Sequence, residues 1–386
     1  MPAVEPANGG LQPRLAWGGA DPCNRSAHMH LRRLALQHFR NVAWAELALP
    51  AAGAALVGAN GQGKTNLLEA VGLLTALRSF RQGDNRLLIA HGQPEAALRF
   101  ELEHERLGAT VVTLRLRPEG KEVEVDGTKV VRFGDFLGRF PTVLFSSQDN
   151  QLIRGSPSAR RRWLDLVLAA MDANYLDVLQ RYHRALDGRN RLLKERAETA
   201  QLAAFEQPLA AAGAAVVCAR VAGVGELGAR VRAAYATIAP AQEAADLVYE
   251  SDVAEGDEAS LAALFAANRE RDLLMRSTSR GPHRDDIDLT LDGRSSRDFG
   301  SEGQQRSLVL ALRLAQLGHF RERSGVRPLV LADDVLGELD AGRRARFWSA
   351  IEPGTQVLAT GTAVPEGVAE GWRVFRVERG TFTDPA

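Results

Sequence analysis

The chain has 386 residues, of which 45% are hydrophobic and 25% charged. This is the mix of an ordinary globular protein of roughly two to three domains, and it excludes a collagen-like or mostly disordered chain. Lys+Arg and Asp+Glu both number 48, so formal charge is zero and any nucleic-acid binding has to use local basic patches.

Two cysteines, Cys23 and Cys218, are too few for a disulfide framework and lack metal-ligand spacing, which points to a reducing, cytoplasmic compartment. No apolar run approaches the roughly 18–20 residues that span a bilayer, so no membrane partner is expected. The best run, Leu209 to Ala219, reads as buried helix. Only Lys64, Lys121, Lys129 and Lys194 are lysines. The arginine bias fits a GC-rich genome and makes a retained lysine informative.

Residues 1–28 carry Pro, Gly and Asn without periodicity, as a disordered leader or a start codon placed upstream of Met29 would. From His30 the pattern predicts strands over Leu31–Leu36, Trp44–Leu49 and Ala54–Val57, then a helix over Asn66–Leu77. Strands follow at Leu98–Leu102 and Val111–Arg117. Val123–Val130 reads as a hairpin turning at Asp126-Gly127, and Pro141–Phe145 as a strand. Ser156-Pro157 signals a helix start. Helical, Arg- and Ala-rich sequence then runs to about Leu274, with breaks expected near Pro208, Gly213, Gly223–Gly228 and Pro240, and a strand at Leu247–Glu250. No heptad is sustained, which argues against a long coiled coil. The last part returns to alternation: strand Ile287–Leu291, helix Gln304–Arg323, strand Leu329–Ala332, helix Ala341–Ile351, strand Gln356–Ala359.

Gly58-Ala59-Asn60-Gly61-Gln62-Gly63-Lys64-Thr65 matches G-x-x-x-x-G-K-[ST] between a predicted strand and a predicted helix opening near Asn66. Its glycines let backbone N–H groups curl around phosphate, Lys64 suits the β and γ phosphates, and the Thr65 hydroxyl suits Mg²⁺. The apolar run Leu329–Ala332 ends in Asp333 and Asp334. Beside a phosphate loop, Asp333 is expected to hold Mg²⁺ and Asp334 to orient or deprotonate the attacking water. Ser301-Glu302-Gly303-Gln304 opens a helix, and by spacing alone it is a helix cap.

A phosphate loop, then S-x-G-Q, then an apolar strand ending in two acids resembles the ABC-type ATPase heads of the SMC class. More closely, from about Met29 onward the chain is similar to the RecF family of bacterial recombination-repair ATPases. The residues carrying this are Leu36-Gln37-His38-Phe39-Arg40-Asn41, Gly63-Lys64-Thr65-Asn66, Arg78-Ser79-Phe80-Arg81, and Gly155 through Arg162. Gly281-Pro282-His283-Arg284-Asp285-Asp286, Gly303-Gln304-Gln305-Arg306, and Asp333 through Asp340 complete the set.

The resemblance implies an α/β ABC-type P-loop ATPase head with a mostly helical inserted domain. Residues 29–150 and 280–386 would form the split head, and 151–279 the insertion. ATP and Mg²⁺ would be the cofactors. Ser301, Gly303 and Gln304 would contact the γ-phosphate held by a second copy, so that ATP drives homodimerisation and slow hydrolysis releases it. Gln148 would sense Mg²⁺ and attacking water, although a solvated loop amide explains it equally. Asp340 would lie near the dimer centre. Asp334 stands where transporters carry glutamate, and Thr360-Gly361-Thr362 where they carry a switch histidine. The implied function is ATP-dependent binding of duplex DNA or single-strand/duplex junctions in gap repair and replication restart. RecO- and RecR-like partners would join it in loading recombinase, and DNA would stimulate a weak ATPase.

Arg160, Arg161, Arg162 and Arg184 are the first candidates for DNA phosphate, with Arg181, Arg189 and Arg191 nearby. A solvated helix face with i,i+4 pairs, Arg161 to Asp165 and Asp187 to Arg191, explains them as well, and Arg160–Arg162 would alternatively stabilise the head, since Trp163, Leu164, Val167 and Leu168 beside them read as buried. His283 reads first as a packed core histidine, with a nucleotide-adjacent residue or a DNA contact as the alternatives. Two alternative functions remain, a structural SMC-like DNA tether and a cytosolic ABC transport ATPase subunit. The first needs an elongated coiled coil and the second a switch histidine.

Overall fold

The computed structural model describes residues 28–81, 84–239, 243–253, 256–364 and 371–384. The leader expected over 1–28 lies outside the described residues apart from His28, as does the break expected at Pro240.

Three sheets organise the chain. The first is antiparallel and is built from β1 (His30–Phe39), β2 (Val42–Ala48), β4 (Ala96–His104), β5 (Gly108–Arg117), β6 (Gly120–Val125) and β7 (Thr128–Lys129), in the order β2-β1-β4-β5-β6-β7. Asp126 and Gly127, at φ 50° and 76°, turn the last hairpin as the Asp-Gly pair predicts. The second sheet has the order β15-β14-β3-β13-β12-β8. Its strands are β3 (Gly53–Val57), β8 (Thr142–Ser146), β12 (Leu329–Asp333), β13 (Val357–Gly361), β14 (Arg373–Glu378) and β15 (Thr381–Thr383). All neighbouring pairs are parallel except β14–β15. Its central strands are short, apolar and buried on both faces, as crossover helices require. The third sheet joins β9 (Ala245–Glu250), β10 (Asp286–Leu291) and β11 (Arg294–Ser295).

The helices are α1 (Lys64–Ala76), α2 (Gln151–Arg154), α3 (Pro157–Met171), α4 (Ala173–Glu195), α5 (Thr199–Ile238), α6 (Glu258–Ala267), α7 (Arg269–Met275), α8 (Ser296–Phe299), α9 (Glu302–Ser324), α10 (Val335–Glu338) and α11 (Ala341–Ala350). One apolar core joins the antiparallel sheet to α1 and one face of the parallel sheet. A second lies between the other face of that sheet and α3, α5, α9 and α11, and a third fills the helical arm of α4, α5 and α6.

The helical middle departs from expectation. The breaks expected at Pro208, Gly213 and Gly223–Gly228 do not occur, because all lie inside α5, one helix of 40 residues. Gly213 and Gly223 are contact points rather than breakers. A Cβ on Gly223 would come within 2.5 Å of Leu168, and one on Gly213 within 3.3 Å of Leu261 and Tyr182. α5 is also long and apolar enough to cross a membrane, which the short Leu209–Ala219 run did not suggest. More than half of its most apolar stretch is buried, and it packs along α4, α6 and α9. The domain boundary expected between 279 and 280 falls between two paired strands, since β9 from the arm side is hydrogen-bonded to β10. β14 and β15 had no counterpart among the expected strands.

Candidate nucleotide-binding site

The phosphate loop leaves β3 and enters α1 as its motif demands. Gly61 and Gly63 sit at φ 79° and 109°, a region that a side chain disfavours, and Gly63 caps the helix. A Cβ on Gly63 would also fall 2.8 Å from Asn41 Oδ1. α1 has no acidic residue in its first turn, so its positive end is left for an anion. Lys64 is buried, and its Nζ donates to the carbonyls of Gly58 (2.6 Å) and Ala59 (3.0 Å). Gly58, Asn60 and Gln62 lie in this loop, with Thr65 and Asn66 in the first turn of α1.

The register of the parallel sheet brings the other groups to the same edge. Asp333 at the end of β12 pairs with Thr360 of β13 on one side and Ser146 of β8 on the other, and Thr360 pairs with Leu56 of β3. Ligands of open parallel sheets collect at this carboxyl edge. The Thr65 hydroxyl donates to Asp333 Oδ1 at 2.8 Å, and the Thr360 hydroxyl donates to the same oxygen at 2.8 Å. Burial pushes the Asp333 carboxyl above its usual range, against the pull of those two hydroxyls. Thr65 and Asp333 form an all-oxygen donor pair across 268 residues of sequence, the hard ligand chemistry that Mg²⁺ prefers. Asp334 is half-buried in the left-handed region (φ 54°), and its N–H donates to Thr360 Oγ1 at 2.9 Å. Thr360, in the segment where transporters carry a switch histidine, thus accepts from the Asp334 N–H and donates to the Asp333 carboxylate.

Gln148 is exposed in the turn after β8, two residues past the partner of Asp333. It borders a cavity of about 590 Å³ shared by Arg78, Arg162 and Arg313, which lies under α1 and α3 rather than at the phosphate loop.

Several contributors had no role assigned from the sequence, although Arg40, Asn41, Ser79 and Arg81 belong to the motifs that carry the family resemblance. Asn41, on the β1–β2 turn, accepts from Asn66 Nδ2 (2.7 Å) and donates to the Gln62 carbonyl (3.3 Å). Arg40 holds the fully buried Glu69 of α1 with two bonds, of 2.9 and 2.7 Å, and Ser79 also donates to that carboxylate. Arg81 reaches Asn66 Oδ1 at 3.0 Å. From the other end of the chain, the β14–β15 turn grips the loop. The Gly380 N–H donates to the Gln62 carbonyl (2.8 Å), and the Arg379 N–H donates to its side-chain oxygen (2.7 Å).

The S-x-G-Q segment opens α9. Ser301 and Gln304 form a reciprocal capping box: Ser301 N–H donates to Gln304 Oε1 (2.6 Å), and Gln304 N–H donates to Ser301 Oγ (3.3 Å). Gln304 Nε2 continues to Glu243 (2.6 Å). Gly303 lies against Arg343, whose Nη2 is 2.7 Å from where a Cβ would stand. Asp340 caps α11 and binds Arg343 at 2.6 Å, while Arg343 Nε reaches Ser307 of α9 at 3.2 Å. Ser301, Gly303 and Asp340 therefore form one cluster, whose contacts go to α9 and α11 rather than to the phosphate loop.

Two of the arginines expected on DNA are buried structural groups. Arg160 clasps Asp286 with two 2.7 Å bonds and donates to the Ile153 and Gly155 carbonyls, which leaves no free face. Arg189 is fully buried against Glu206, Asp272 and Thr278. Arg161, half-buried, donates to the Asp285 carbonyl. It does not pair with Asp165, because Arg220 and Tyr175 occupy that carboxylate. Arg162 and Arg184 remain exposed. His283 is half-buried and hydrogen-bonded at both ring nitrogens: Nε2 donates to the Thr278 carbonyl (2.9 Å), Nδ1 accepts from Tyr182 Oη (2.7 Å), and burial lowers its pKa to about 4.

Residues 30–378 match the family profile described as the RecF/RecN/SMC N-terminal domain. The chain is 38% identical over 370 residues to the DNA replication and repair protein RecF of Synechococcus sp. (strain JA-3-3Ab), covering 91% of this chain and 97% of that one. It is 37% identical over 365 residues to the protein of the same name from Geobacter sulfurreducens, covering 92% and 100%. Among solved structures, the recombination mediator protein RecF-ATPrS superposes with a TM-score of 0.84 at 29% identity, over 94% of this chain and 100% of that one. The Smc head domain of Pyrococcus furiosus, at TM-score 0.52 and 17% identity over 92% and 95%, shares the fold. With its split P-loop head, its acids at the sheet edge and this level of identity over nearly its whole length, the chain belongs to the RecF family.

Proposed function

We propose that this chain is a DNA replication and repair ATPase that binds DNA as an ATP-held homodimer. The observation that carries the reading is the meeting of Thr65 and Asp333 at 2.8 Å beside the phosphate loop. In this reading Lys64 leaves its loop carbonyls for the β and γ phosphates, and the amides of Gly61, Gly63 and Lys64 wrap them. Thr65 and Asp333 would hold Mg²⁺, which when bound supplies charge neutralisation at the phosphates. Asp334 and Gln148 would orient the attacking water. Asp334 has a shorter reach than glutamate, which predicts slow turnover.

Ser301, Gly303 and Gln304 would meet the triphosphate of a second copy, with Asp340 crossing near the dimer centre. Their hydrogen bonds, which go to Glu243, α9 and α11 rather than to the chain's own loop, support this in-trans reading, and the RecF structures named with ATP support nucleotide binding. Exposed arginines, Arg162 and Arg184 among them, would bind duplex or junction backbone in a salt-sensitive way. Partners of the RecO and RecR kind follow from the RecFOR pathway named for those structures. A cytoplasmic location and DNA-stimulated hydrolysis belong to the same reading.

The test is molecular mass in solution, with and without a slowly hydrolysed ATP analogue and Mg²⁺, followed by duplex binding across a salt series. A mass that doubles with nucleotide, and DNA affinity that rises with it, supports the proposal. A monomer in both states, with equal DNA affinity, overturns it.

A further inference from the structure

Glu243 lies outside every motif considered so far, just ahead of β9, and its carboxylate spends both oxygens on two different helices. Tyr235 Oη, near the end of α5, donates to Oε2 at 2.7 Å. Gln304 Nε2, in the first turn of α9, donates to Oε1 at 2.6 Å. The remaining amide atom of Gln304 accepts the Ser301 N–H at 2.6 Å. A primary amide has one donor end and one acceptor end, so only one orientation of Gln304 satisfies both partners. Glu243 selects that orientation, and with it the capping box that aims Ser301 Oγ. The bonds are charge-assisted, and the carboxylate lies at the positive end of α9, where its charge is favourable. Tyr235 is 1% exposed and packed in the second core, so the clamp is anchored to a fixed point.

We infer that Glu243 is a positioning residue for the S-x-G-Q segment: it holds Gln304 and Ser301 in the arrangement that a second copy's triphosphate meets. The inference rests on the dimer reading above. It also ties that arrangement to α5, whose opposite end lies in the arm, where Glu206 meets Arg189 and Arg269.

The experiment compares wild type, Glu243→Ala, Glu243→Gln and Tyr235→Phe by sedimentation equilibrium with a slowly hydrolysed ATP analogue and Mg²⁺, and titrates a fluorescent ATP analogue into dilute monomer. Glu243→Ala is expected to weaken nucleotide-dependent dimerisation by roughly tenfold or more, the size of one charge-assisted hydrogen bond. Monomer affinity for nucleotide stays unchanged. Glu243→Gln restores dimerisation, because its amide oxygen accepts from Gln304 while its NH₂ donates to the Tyr235 hydroxyl. A merely structural loss would weaken nucleotide binding too. Dimerisation of Glu243→Ala at the wild-type level, or a Glu243→Gln as defective as Glu243→Ala, overturns the inference. If Glu243→Ala fails to fold, Tyr235→Phe decides, because it keeps the ring packing. A several-fold weaker dimer supports the clamp, and an unchanged one removes it. A wild type that stays monomeric brings down the dimer reading itself, whereas a wild type that dimerises no better than Glu243→Ala brings down only this inference.

Discussion

At the scale of single residues, the site combines groups visible in the sequence with groups that only the fold assembles. Lys64→Ala removes the one ammonium among the loop's carbonyls, and nucleotide affinity measured by titration is expected to fall at least tenfold, the loss of one charged hydrogen bond. Arg160→Ala leaves Asp286 without its partner in a largely buried position. It is expected to cost about 3 kcal/mol or more by denaturant unfolding while leaving the salt dependence of DNA binding unchanged. The opposite outcome, normal stability with weaker DNA binding, would return Arg160 to the DNA surface. His283 titrates near 4 in the fold and near 6.5 when unfolded. Between those values the unfolded chain binds the extra proton, so stability falls as pH drops from about 6.5 towards about 4. Melting temperature followed over that range is expected to fall less steeply in His283→Gln. The loop, Asp333 and the S-x-G-Q segment were legible because each is a local pattern. The roles of Asn41, Thr360 and Gly380 were not, because they come from strand register and from contacts between separate segments, in the case of Gly380 more than three hundred residues apart.

At the scale of elements, most strands and helices follow from periodicity and turn residues, and α5 shows why one did not. Proline and four glycines read as breaks in isolation, yet neighbouring helices fill the space beside Gly213 and Gly223, and the helix runs on through the others. Two substitutions separate packing from propensity. Gly225 is exposed with nothing near its missing Cβ, so Gly225→Ala is expected to stabilise by about 0.5–1 kcal/mol. Gly223 faces Leu168, so Gly223→Ala is expected to destabilise by about 1–3 kcal/mol despite the same gain in propensity. Chemical denaturation of both variants checks the pair, and equal effects would mean that α5 is not packed as described. The structural roles of Arg160 and Arg189 were hidden for a related reason. An arginine-rich helix looks solvated until its carboxylate partners, Asp286 for Arg160 and Asp272 for Arg189, arrive from distant segments.

At the scale of the whole molecule, the phosphate loop and the S-x-G-Q cluster are separate assemblies, and the proposed dimer is what joins them. Ser301→Arg places a long cation at the start of α9. It is expected to leave nucleotide binding by the monomer intact and to abolish the nucleotide-dependent doubling of mass in light scattering. A normal dimer from this variant would refute the in-trans role. The β14–β15 turn on Gln62 has a different consequence, for the order in which the protein is made. β3, which carries the loop, takes its hydrogen-bonding neighbours from β13 and β14, and the loop itself is held by Arg379 and Gly380. A ribosome that has delivered the first two-thirds of the polypeptide has therefore made Lys64 but neither β13 nor β14, the two strands that flank β3. Stalled or truncated translation products would be unable to capture ATP, and so could not compete with finished molecules.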